Sequence, residues 1–164
     1  MSKIYLQNPE KTQIQVFENE NQIGFSFISW VNLTEGEIVK YELGKEKQEK
    51  LCEVDKFKKA TLYAPLEYKN FILLATEKAQ NNIVGALVSS FDKKQWIDIR
   101  GNDIELSRSE FEEIRDIIEK RSYLCYRAEA DLINKISIAK DIAEFAKIDI
   151  EKEFAKINKI ILVA

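Results

Sequence analysis

Histidine is absent from this 164-residue chain. The one side chain that moves protons near neutral pH without tuning is therefore missing. Ser-His-Asp and Cys-His nucleophilic machinery are excluded with it. Cysteine is nearly absent as well: Cys52 and Cys125 stand far apart, in helical patterns rather than a Cys-x-x-Cys arrangement. Reduced thiols are expected rather than a disulfide framework. Two distant cysteines also cannot supply an ordinary zinc ligand set. Glycine is scarce, and neither G-x-G-x-x-G nor G-x-x-x-x-G-K-[ST] occurs, so phosphate-cradling loops have no support. No apolar run approaches the ~20 residues that span a bilayer. The first residues lack the apolar core of a signal peptide. No membrane partner is expected, and the chain is expected to stay inside the producing cell unless a larger particle carries it out.

What is present is a balanced globular composition, 45% hydrophobic and 32% charged, which is enough for a core and argues against disorder. The net charge of −3 gives no general attraction to phosphate. The richest basic stretch, Lys45 to Lys59, sets six lysines against Glu46, Glu49, Glu53 and Asp55. That surplus of two reads as a solvated helix face, and no nucleic-acid partner is expected.

Periodicity predicts an α+β protein. It has an N-terminal antiparallel β segment, helices, a β-hairpin, and one long C-terminal helix followed by short terminal helices. Ile14 and Val16 alternate with polar residues, and Ile23, Phe25 and Phe27 resume the period of two after a polar turn. Ile38 to Leu43 reads as a third strand and Gly44 as punctuation before a helix over Lys45–Ala60. Tyr68 to Leu74 is apolar enough for a buried strand. Thr76 can cap a helix running to about Phe91, and Trp96–Ile99 with Ile104–Leu106 flank a Gly-Asn turn. Ser107-x-x-Glu110 is a capping box that opens a helix to about Ile136. Asp141 with Glu144 suggests a second box, and a last helix covers about Glu151–Ile160. Two regions are expected, a β-rich segment with one helix (1–62) and a helical and hairpin module (63–164).

Ordered landmarks in the second region carry a family resemblance. Asn82-Ile83-Val84-Gly85-Ala86 forms a helix core, and Trp96 lies on a strand before a polar turn and Leu106-Ser107. Tyr126-Arg127-Ala128-Glu129-Ala130 then precedes Leu132, Ile136 and Ala139, and a short capped helix closes with Ile148-Asp149. From about residue 68 to 150 the chain resembles a prophage tail-associated family of unknown function found in Mu-like tail-gene clusters. The departures are residues 1–62, which match nothing in that pattern, and Tyr123 or Cys125 where the family often has histidine. The resemblance implies a tail-associated or tail-fibre-assembly protein in the bacterial host cytoplasm or the virion, with no established enzymatic activity.

No catalytic, cofactor-binding or metal-binding residue is nominated, and no cofactor is expected. Glu112, Glu113 and Asp116 alternate with Arg115 and Lys120, which reads as a polar face rather than a di-metal site. Trp96 reads as a core residue because it starts an alternating strand. Arg121 interrupts the apolar stripe of the long helix; it is either an anchor for a partner or a side chain that snorkels outward over its own stem. Phe25-Ser26-Phe27-Ile28-Ser29-Trp30-Val31 concentrates aromatic area in a region too small to bury it well. The bland reading packs these rings against the following helix. The functional one makes Phe25, Phe27, Trp30 and Arg121 a partner interface. The function expected is a non-enzymatic tail accessory protein, an assembly chaperone binding a tail or tail-fibre component, with the long helix also able to pair in a homodimer. The alternatives are a structural virion tail subunit and a small carboxylate-dependent enzyme.

Overall fold

The computed structural model describes residues 3–23 and 30–162. The architecture is α+β, with short antiparallel strands in three separate sheets and the longest described helix late in the chain. The chain divides into two compact units, residues 1–48 and 49–164. A single helix, α1 (Glu35–Leu62), supplies residues to both.

In the first unit, β1 (Ile4–Gln7) pairs antiparallel with β2 (Ile14–Phe17), from Ile4↔Phe17 to Gln7↔Ile14. It also pairs with β3 (Val31–Asn32), giving the order β2-β1-β3. The β1–β2 turn is built by Asn8, whose Oδ1 accepts the backbone N–H groups of Thr12 and Gln13 at 2.8 and 2.9 Å. Such a side chain replaces a backbone acceptor in a tight turn. Lys11 in that turn takes φ 57°, the left-handed region that side chains normally avoid. Leu6 and Phe17 are the buried residues of this sheet. Ile23 follows a short 3-10 turn (Glu20–Gln22) rather than lying on a strand. Phe25 and Phe27 lie outside the described residues.

The predicted strand Ile38–Leu43 is helical instead. Thr34 and Glu37 form a cap about three turns earlier than the expected start at Lys45. The Thr34 N–H and hydroxyl donate to Glu37 Oε2 at 2.9 and 2.7 Å, and Glu37 N–H returns to Thr34 Oγ1 at 3.4 Å. Two exposed donors are thereby satisfied reciprocally, and the helix starts there. Gly44 becomes a mid-helix residue, with nothing within 4 Å of where a Cβ would stand.

The second unit is organised around α3 (Arg108–Ile138), whose ~46 Å follow from 31 residues at 1.5 Å each. Ser107 and Glu110 form the predicted capping box, and the helix buries Phe111, Ile114, Ile118, Cys125, Leu132 and Ile136 along one stripe. The predicted strand at 68–74 is a hairpin, β4 (Leu66–Tyr68) with β5 (Phe71–Leu73), because Lys69 adopts φ 52° and turns the chain. Thr76 caps α2 (Glu77–Val88), its side chain accepting Ala79 N–H. The second hairpin, β6 (Lys93–Ile97) with β7 (Asp103–Ser107), turns at Gly101, which takes φ 82°. Asp98 Oδ1 fixes this turn by accepting the N–H groups of Arg100 and Asn102, each at 2.8 Å.

Trp96 and Phe91 stand edge-on to the fully buried Phe111 ring, with centroids 5.3 and 5.4 Å away. This is the favoured geometry for aromatic quadrupoles; Trp96, expected in the core, is half-buried at its edge. Arg108 ties the pieces together: its guanidinium donates to the Leu87 and Ser89 carbonyls at the end of α2. Beyond α3, the short α4 (Ile142–Ala146) inserts Phe145. The last helix, α5 (Ile150–Leu162), lays Ile150, Phe154, Ile157 and Ile161 into the core at helical spacing.

Candidate functional site

The N-terminal unit holds a groove of about 660 Å³ between the β1–β2 turn and the first turns of α1. Ile14, Leu33 and Tyr41 supply apolar surface, Gly44 contributes bare backbone, and Lys11, Lys40, Lys45 and Glu37 complete the lining with Gln7 and Gln48. Each wall has a local cause. The Asn8 turn carries Lys11 and Ile14 to one side. The Thr34–Glu37 cap starts the helix early enough to place Lys40, Tyr41, Gly44 and Gln48 on one face, at spacings of three and four. Tyr5 fastens the sheet to that helix: its hydroxyl donates to Glu42 Oε1 at 2.6 Å, and its ring meets Tyr41 edge-on at 6.1 Å. The Glu42 carboxylate, with burial and other nearby charge, pushes the Tyr5 hydroxyl up to about 12, so it stays a donor at neutral pH. The Glu37 carboxyl is held below its usual range by Thr34, with Lys11 adding a smaller effect.

Among the described residues β1 is flanked by β2 on one side and β3 on the other. Val31 on β3 is 63% exposed. Trp30, immediately before it, is half-buried.

The residues expected at an interface are distributed differently. Phe25 and Phe27 cannot be placed, being outside the described residues. Arg121 belongs to the other unit and is only 3% exposed. The outward path that long cationic side chains usually take is not followed, because the connection after α1 brings a carbonyl to it. Its Nη1 donates to Ala64 O, while Nε is buried without a hydrogen-bond partner among the described residues. Desolvation draws the guanidinium pKa below its ordinary value. To anchor a partner, Arg121 would first have to leave that carbonyl. The acids considered for metal binding each have a local partner: Glu112 meets Arg108 at 3.2 Å, Asp116 meets Arg115 at 2.8 Å, and Glu113 accepts the Tyr68 hydroxyl. Among the described residues no three Asp, Glu or Cys side chains gather as a metal would require. No described helix is long and apolar enough to cross a membrane.

Tyr41, Gly44 and Lys40 escaped the sequence reading because Ile38–Leu43 was assigned the wrong period. The signal that finds them is Thr34-x-x-Glu37. Comparison of the chain with protein-family models, curated proteins and solved structures finds no match.

Proposed function

We propose that the chain is a non-catalytic protein-binding factor whose partner is a bacteriophage tail or tail-fibre component, held during assembly. The tail assignment rests on the resemblance in residues 68–150. The binding mode rests on one observation, the lysine-flanked apolar groove of the N-terminal unit. A segment of the partner lies along the groove. An apolar side chain of that segment fills the space over Gly44, and neighbouring carboxylates meet Lys11 and Lys40. The groove lies within the roughly 300–1,000 Å³ of pre-formed binding sites.

The test is a pull-down with the tagged chain from phage-producing cells, read by mass spectrometry. A tail or fibre protein is expected in the wild-type eluate. Gly44→Leu fills the open space and, as leucine favours helix by about 0.8 kcal/mol over glycine, leaves α1 folded; it should lose the partner while the circular dichroism spectrum is retained. Recovery of no tail component by the wild-type chain overturns the assignment. Mass spectrometry of purified particles then separates an assembly factor, absent from the virion, from a structural subunit, present in it.

A further inference from the structure

A second concavity lies wholly in the C-terminal unit, where the end of α3, the short α4 and the start of α5 enclose about 750 Å³. Its lining is basic, although the chain as a whole is acidic. Lys135, Lys140, Lys147, Lys152 and Lys156 line it against three acids, a local surplus of two on a chain of net charge −3.

The acids are already engaged. Glu144 Oε2 accepts the backbone N–H of Lys140 at 2.6 Å, and Asp149 Oδ1 accepts that of Lys152 at 2.9 Å. Glu153 pairs with Lys156 at 2.8 Å. The other four lysines form no ion pair among the described residues. Lys135 and Lys152 act on Glu153 only through weaker charge attraction, and lysines gathered around a hollow repel one another. A cleft lined by one sign of charge focuses its field on an incoming counter-charge.

We propose that this cavity binds a small molecule carrying two or more phosphate groups. Several phosphates suit it better than one, because the four ammonium groups outside any close ion pair are spaced along the consecutive α3–α4–α5 turns around a wide hollow. Lysine acts on phosphate as a point charge and needs no fixed bidentate geometry. Ile138 and Ile148, also in the lining, offer apolar contact to an organic portion. The site is independent of the protein-binding groove, and neither proposal needs the other.

The test uses the full chain, ¹⁵N-labelled, titrated at low ionic strength with inorganic pyrophosphate, tripolyphosphate and ATP. Saturable shifts confined to amides between about residues 132 and 156 are expected with all three. Tighter binding of ATP than of tripolyphosphate assigns the apolar side to an organic group; equal binding assigns the site to phosphate alone, and both support the proposal. Lys140→Gln combined with Lys147→Gln changes only exposed side chains and should weaken binding about tenfold. Lys93→Gln with Lys94→Gln, the same change in net charge on β6, should leave it intact. No saturation with pyrophosphate or tripolyphosphate overturns the proposal. So does an equal loss in the two double variants, which marks general charge attraction. Binding of oligonucleotides without any binding of the small polyphosphates overturns it in favour of a nucleic-acid surface.

Discussion

Replacing Glu110 by glutamine isolates the charge at the start of α3 from its capping geometry. The Glu110 carboxylate receives Lys69 Nζ, the Ser107 N–H at 2.8 Å and the Ser107 hydroxyl at 2.9 Å. Lys69 first, then Ser107, pull its pKa down from 4.5 to about 2, against a smaller opposing effect of burial. At about 1.4 kcal/mol per pH unit this drop is worth roughly 3 kcal/mol before screening. Lys69 is 54% exposed, and solvent reduces the contribution to about 1–2 kcal/mol. Because the folded pKa lies below the unfolded one, the stabilisation is complete above about pH 4.5. It is lost as pH falls toward about 2, where the folded state too takes up the proton. Glutamine still accepts the Ser107 N–H, as capping boxes allow. Urea denaturation followed by circular dichroism should therefore show Glu110→Gln less stable than wild type by about 1–2 kcal/mol near neutral pH. The two should converge near pH 2. A difference of the same size at both pH values refutes the electrostatic account and assigns the loss to packing or cap geometry.

Phe111→Ala removes the ring that Phe91 and Trp96 pack against; a loss of about 3–5 kcal/mol is expected by thermal or urea denaturation, with Trp96 emission shifting toward the exposed value. Gly44→Ala should stabilise α1 by about 1 kcal/mol, since a Cβ there meets nothing within 4 Å; a fall in melting temperature would show that the space is filled. Iodoacetamide at mildly alkaline pH should label the exposed Cys52 in the native protein and Cys125 only on unfolding. Cys125 is buried and its thiol is pushed up to about 11 by desolvation, which Arg121 and Lys58 only partly offset. Equal labelling of both native thiols, read by peptide mass spectrometry, would contradict this.

Much of the C-terminal unit was legible from residue order because its determinants are local. The Ser107–Glu110 box, the Thr76 cap, the Asp141 cap and the turn at Gly101 each act within about four residues. Their chemistry is the same in a short peptide as in the fold. The apolar stripe of α3 was legible for a related reason, since helical spacing alone puts Phe111, Ile114, Ile118 and Cys125 on one side. Tyr68 to Leu74 was half legible: its hydrophobicity marks a strand, but the break at Lys69 depends on a left-handed residue with no glycine to announce it. Ile38–Leu43 misleads because its short apolar run fits a strand, while the Thr34–Glu37 cap just before it starts a helix.

What no local pattern could supply were the encounters between distant residues. Arg121 is buried because Ala64, 57 positions earlier, brings a carbonyl to it. Glu110 owes its low pKa to Lys69, 41 positions away. The groove is likewise a product of packing, since it joins the β1–β2 turn to α1, whereas the lysine-lined cavity forms where the single stretch 132–156 folds back on itself. Residue order settled where helices begin and which faces are apolar, because capping and periodicity act over a few bonds. Which charges end up facing each other across a hollow was settled only when the elements packed, because Coulomb energy and desolvation depend on distance through space.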